Sequence, residues 1–178
     1  MLRAMSHTGP HASDAFARLF VGLWPGDTVR DAVQAHADRW AWTPSARRVP
    51  RTKLHMTLHF LGGVPRERLP ELVHGLAVRF QPFVMRLEHA EVWRSQVAVL
   101  CPRAVPPGLT ELHQRLQVAL GQLQQPTERE ALLPHVTLAR QAKGSQPAVG
   151  AAIRWDVDGY ALIESTPDSR YHVLYAYR

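Results

Sequence analysis

Leu54-His55-Met56-Thr57-Leu58-His59-Phe60-Leu61-Gly62-Gly63 alternates apolar residues (Leu54, Met56, Leu58, Phe60) with polar ones (His55, Thr57, His59) before reaching two glycines. Alternation with period two marks a half-buried strand, whose odd and even side chains project to opposite faces. His55 and Thr57 are therefore expected on one face, with Met56 and Leu58 in the core. Eighty positions on, His135-Val136-Thr137-Leu138 repeats the pattern H-x-T-L inside a second strand-like run, residues 132–140. Random placement of this chain's His, Thr and Leu would yield roughly 0.06 such tetrapeptides, so two copies point to a shared purpose.

Side chains at i and i+2 of a strand stand about 7 Å apart on the same face. Each motif thus presents an imidazole and a hydroxyl side by side. Two such strands facing each other across a cleft supply two groups that titrate near neutrality and two donors for phosphate oxygens. A neutral His can take a proton from water or a hydroxyl while a protonated one gives a proton to a departing oxygen, which is the equipment for phosphodiester chemistry without a metal. His55 and His59 have the i, i+4 spacing of paired zinc ligands, but that spacing suits a helix. In a strand such residues lie about 13 Å apart, too far to share an ion. Met56 also stands where a metalloprotease helix needs Glu.

The rest of the chain interleaves strands and helices. Residues 1–14 lack periodicity and include Gly9-Pro10, and they are expected to form a flexible leader. Phe16 to Trp24 is a short apolar run ended by Pro25-Gly26 and reads as a buried strand. Asp27 to Trp42 carries Val29, Val33, Ala37 and Trp40 as one helical stripe. A Pro-punctuated basic loop with Arg47, Arg48, Arg51 and Lys53 precedes the first motif. Helical spacing returns at Arg66–Phe80 and Leu109–Leu123, and strand character at Phe83–Trp93, Gln96–Leu100, residues 153–165 and residues 171–178. His36, His74, His89, His113 and His172 have no partners in sequence and are expected to be structural. Buried positions are expected for Trp93 and Trp155, with base stacking as their alternative.

The 178 residues, 46% apolar and 20% charged, suit one globular domain or two closely packed lobes sharing a core, over residues 15–178 after the leader, and exclude a large multidomain assembly. No run is apolar and long enough for a membrane helix, and polar residues occupy the region where a signal peptide would need apolar ones, so a cytoplasmic protein is expected. Cys101 is the only cysteine, which excludes an internal disulfide and a zinc ribbon. The formal net charge is +6, and 19 of the 21 cationic residues are Arg, the side chain shaped for bidentate phosphate contact.

The two motifs resemble the H-x-T-x signatures of the two-histidine (2H) phosphoesterase superfamily. Within it, RLFVGLWP at 18–25, HMTLHFLGGV at 55–64, PHVTLAR at 134–140 and the closing YHVLYAY look like the bacterial and archaeal RNA 2′,3′-cyclic phosphodiesterases, also called 2′-5′ RNA ligases. The resemblance implies an α+β fold of two pseudo-symmetric lobes, each an antiparallel sheet backed by helices, with one motif from each lining a central cleft. It implies His55 as the general acid and His135 as the general base in opening a cyclic phosphate to a 2′-phosphate. Thr57 and Thr137 would hold the phosphate, with 2′-5′ ligation as the reverse reaction. It also implies no cofactor and no metal, a monomer, and an RNA or nucleotide partner bearing a 2′,3′-cyclic phosphate. Arg140 matches the family's Arg after the second motif, yet strict alternation would turn it away from His135, so a phosphate role requires a bulge or a strand end. The loop before the first motif departs from the family in lacking an aromatic residue. Two rivals remain: a related enzyme acting on a cyclic ADP-ribose phosphate, a 2′-5′ oligonucleotide or an RNA 3′ end, and a non-catalytic RNA-binding module.

Overall fold

The apolar run at Phe16 forms β1 (Phe16–Leu23), a central strand of the first sheet, which has the order β10-β9-β1-β3 with β3 (Met56–Pro65), β9 (Tyr160–Ser165) and β10 (Tyr171–Tyr177). A second sheet runs β2-β7-β6-β5, from β2 (Arg47–Arg48), β5 (His89–Val92), β6 (Ala98–Cys101) and β7 (Val136–Arg140). A third, two-stranded ribbon pairs β4 (Phe83–Leu87) with β8 (Ile153–Val157). Every pair is antiparallel. The computed structural model describes residues 15–127 and 131–178, so the expected leader lies outside the described residues. Helix α1 (Asp27–Asp38) packs on β8, and α3 (Pro107–Gln122) packs on β3; the short α2 (Leu69–Gly75) completes the set. The fold is α+β with antiparallel sheets, and the β4–β8 ribbon is an addition to the expected pair. Among the described residues no helix is long and apolar enough to cross a membrane.

The expected elements are shorter where tertiary contacts intervene. Helix α1 stops at Asp38 rather than Trp42, because the Trp42 indole donates to the Ala37 carbonyl at 2.8 Å and its ring stacks on Trp40 at 4.8 Å. That indole supplies a donor to a helix-end carbonyl whose i+4 amide partner is lost where the helix ends. The helix expected over Arg66–Phe80 reduces to a 3-10 turn at Arg66–Arg68 followed by α2. Its end is capped from afar: the Tyr160 hydroxyl donates to the Leu76 carbonyl at 2.8 Å and accepts from the Val78 amide at 2.9 Å. The strands read as single over Phe83–Trp93 and over residues 153–165 are each broken in two, at Glu88 and at Asp158-Gly159. In both cases the halves join different sheets, a choice of partner that periodicity does not encode.

One buried cluster unites the sheets, with Val21, Val33, Met56, Leu58, Leu138 and Trp155 all in it. At Gly22 a Cβ would come within 2.6 Å of the Met56 carbonyl oxygen, so the absence of a side chain lets β1 lie tight against the first motif.

Both motifs carry a β-bulge at the same position. In β3, Thr57 pairs with Gly22 and His59 with Val21, which leaves Leu58 as the extra residue. In β7, Thr137 pairs with Val99 and Ala139 with Ala98, which leaves Leu138. An extra residue reverses the alternation beyond it. Hence His59, expected on the polar face, is buried, and Phe60, read as part of the apolar face, is 50% exposed. The same reversal turns Arg140 outward, so the bulge that its proximity to His135 requires is present.

Candidate active site

β3 and β7 contact one another and wall a cavity of about 970 Å³. Its lining brings together all five residues singled out in the sequence: His55, Thr57, His135, Thr137 and Arg140. Phe60 joins them, at the position in the first motif that corresponds to Arg140 in the second.

Both histidines are held by the same device. His55 Nδ1 lies 2.6 Å from the Lys53 carbonyl and His135 Nδ1 lies 2.7 Å from the Leu133 carbonyl, in each case two residues back. A carbonyl only accepts, so Nδ1 carries the proton and Nε2 is left for the cleft. His55 Nε2 lies 3.1 Å from Thr57 Oγ1. The rings are braced by aromatic neighbours: Phe20 at 4.8 Å and Tyr171 at 5.2 Å, nearly perpendicular, around His55, and Trp93 at 4.6 Å beside His135. Trp93 is thus part of the cleft rather than the core, whereas Trp155 is buried.

Burial holds both imidazoles below the ordinary histidine range. For His55 the carbonyl of Lys53 opposes that shift, while the charges of His135, Arg140 and Arg30 deepen it. For His135 the carbonyl of Leu133 opposes it and Arg140 deepens it. Among the described residues the lining contains Arg18, Arg47, Arg48, Lys53 and Arg140 and no Asp or Glu. Arg48 is paired with Asp38. Arg51, from the same basic loop, turns to α1, bonding Asp31 at 2.5 Å and Asp27 at 3.0 Å. Among the described residues no carboxylate pairs with Arg18, Arg47, Lys53 or Arg140. Like charges with no internal partner are poised for an anionic ligand.

His59 points away from this cleft, its Nε2 donating to the His113 carbonyl at 3.0 Å and its ring stacking on the His113 ring at 4.1 Å. His55 and His59 therefore face opposite sides of β3 and cannot share an ion. Cys101 is buried, its thiol pushed up to about 12 by burial, so it is not a nucleophile at neutral pH. Sequence reasoning missed Phe20, Phe60, Tyr171 and Arg18 as cleft residues. The alternation around Phe60 pointed the wrong way because the bulge is invisible in it.

Comparison with known proteins places the arrangement. A family model described as the 2′-5′ RNA ligase superfamily matches residues 29–168. An RNA 2′,3′-cyclic phosphodiesterase of Thermus thermophilus is 30% identical over 165 residues, covering 83% of this chain and 81% of that one. One from Escherichia coli is 31% identical over 153 residues, covering 84% of each chain. The crystal structure of E. coli LigT complexed with 3′-AMP superposes with a TM-score of 0.81 at 27% identity, covering 91% of this chain and 97% of that one.

Proposed function

The chain belongs to the 2′-5′ RNA ligase superfamily, and from that membership together with the cleft we propose that it hydrolyses a 2′,3′-cyclic phosphate on RNA or a nucleotide to a 2′-phosphate, using its own side chains alone. The observation that carries this reading is the matched pair of imidazoles, each with Nδ1 tied to a backbone carbonyl and Nε2 facing one cationic cleft. A module that only bound RNA would have no use for two titrating groups fixed in this way.

In the proposed reaction His135 Nε2, neutral, removes a proton from a water molecule as its oxygen attacks phosphorus. The P–O3′ bond breaks, and protonated His55 delivers its Nε2 proton to the departing O3′. One histidine ends protonated and the other neutral, and exchange with solvent restores the starting pair. Thr57 and Thr137 donate hydrogen bonds to the non-bridging oxygens, and Arg140 offsets the charge that accumulates on them. Phe60, half exposed beside Thr57, offers a flat face on which the terminal base stacks. Run backwards with a 5′-hydroxyl in place of water, the same proton transfers join two ends as a 2′-5′ linkage without ATP. One chain supplies both histidines, so a monomer suffices.

Nucleoside 2′,3′-cyclic phosphates incubated with the protein in EDTA, with the product isomer identified by phosphorus NMR, test this directly. The expected product is the 2′-phosphate, with undiminished turnover. Loss of activity on chelation, restored by zinc or another divalent ion, would replace the two-histidine mechanism with a metal one.

A further inference from the structure

The proposed chemistry uses the middle of the cleft and leaves one end unassigned. Arg18, on β1, lines that end, is exposed and pairs with no carboxylate among the described residues. It stands two residues from Phe20, about 7 Å along the strand. The Phe20 ring touches His55 at 4.8 Å and lies 6.2 Å from Phe60, its direct cross-strand partner. The order along the floor is thus His55, then the Phe20 and Phe60 rings, then Arg18.

The ground beside Arg18 is open. Its partner on β3 is Gly63, and next to that is Gly62 at φ +71, a conformation that favours glycine. A Cβ at either would meet nothing within 4 Å, so no neighbour covers the guanidinium from that strand. Ser165, on the strand beyond β1, adds a hydroxyl to the lining. A guanidinium that no described carboxylate pairs, with a hydroxyl beside it on an open shelf, suits an anion.

Building on the proposed function, we infer that Arg18 binds the phosphate on O5′ of the terminal nucleoside, making the cleft selective for a 5′-phosphorylated end. A ribose carries O5′ on the side opposite its 2′,3′ edge. With the cyclic phosphate between the histidines and the base on Phe60, O5′ is directed past the aromatic pair toward Arg18. Arg18 is too far along β1 to serve the reacting phosphate. Arg140 and Arg30 are the guanidiniums whose charge acts on His55. The 5′-phosphate is a monoester in a phosphorylated mononucleotide and a diester in an RNA chain, and the inference covers both.

Three substrates separate the possibilities: adenosine 2′,3′-cyclic phosphate, the same compound with a 5′-phosphate, and a dinucleotide ending in the cyclic phosphate. Wild-type kcat/KM should favour the second and third over the first by about tenfold or more, as expected for a charge-assisted contact. In Arg18→Gln the preference should fall toward unity, and Arg18→Lys should restore part of it. A preference for the dinucleotide alone would assign the diester, and a preference for both would assign the phosphate itself. No wild-type preference, or an equal preference in Arg18→Gln, would overturn the inference. Titration calorimetry with 5′-AMP and adenosine provides a readout independent of turnover. If no cyclic phosphate is hydrolysed, the proposed function fails, while tighter binding of 5′-AMP that Arg18→Gln abolishes would still uphold the Arg18 site, and equal binding would remove it too.

Discussion

His55 and His135 each donate Nδ1–H to the carbonyl two residues back, and this leaves Nε2 as the nitrogen free for the cleft. In the proposed reaction each is used only as a proton-transfer partner, so His55→Ala and His135→Ala should each lower kcat by roughly 10²–10⁴-fold with a smaller change in KM. The double variant should lose less than the product of the two, since half of an acid–base pair has little to do alone. Steady-state kinetics on a cyclic mononucleotide checks both. Thr57→Ala and Thr137→Ala remove a neutral donor and should cost about 1–3 kcal/mol of transition-state stabilisation. The pH dependence stems from burial, which lowers both histidines in the free protein. The proposed reaction needs His135 neutral and His55 protonated, so kcat/KM should be bell-shaped with its maximum on the acid side of the usual histidine pKa of about 6.5. Bound phosphate favours the charged form of His55. The kcat optimum should therefore lie at higher pH than that of kcat/KM, and coincident optima would contradict this assignment.

At the scale of elements, the decisive feature is the bulge shared by β3 and β7. It keeps His and Thr in register on the cleft, buries Leu58 and Leu138, and reverses the facing of the residues beyond them. On β3 the buried residue after the bulge is His59, whose contacts with His113 fasten the strand to α3. Burial lowers the pKa of both, that of His113 to about 4, with the charge of His59 a further cause for His113. The unfolded chain therefore binds more protons than the folded one as pH falls below about 6.5, and stability should be present above that value and decline toward pH 4. Thermal denaturation between pH 7.5 and 5 should show a falling Tm that His113→Phe flattens. An unchanged slope would remove this pair as the cause. Neither the bulge nor the stacked pair is legible in the sequence, because period-two alternation continues without interruption through His59 and Phe60.

For the whole molecule, the surplus of positive charge divides between cations matched by carboxylates and cations gathered on the cleft. Arg48, Arg51, Arg115 and Arg154 are matched by nearby carboxylates, whereas Arg18, Arg47, Lys53 and Arg140 border a cleft with none among the described residues. Affinity for single-stranded RNA should fall with salt by a log–log slope of about −0.7 for each phosphate neutralised. Filter binding or anisotropy across a salt series measures it, and charge-removing substitutions at these four positions should each flatten the slope. The sequence by itself determined the period of each strand, the two H-x-T-L motifs and the imidazole and hydroxyl groups they carry, since these depend on local alternation and side-chain chemistry. Only the tertiary structure decided that residues 83–93 and 153–165 split between sheets, that Arg51 is spent on α1, and that Phe60 and Arg140 face the cleft. Each of those outcomes depends on the distant strand or helix that a segment meets, and the pairing energy of that partner is absent from the segment's own residues.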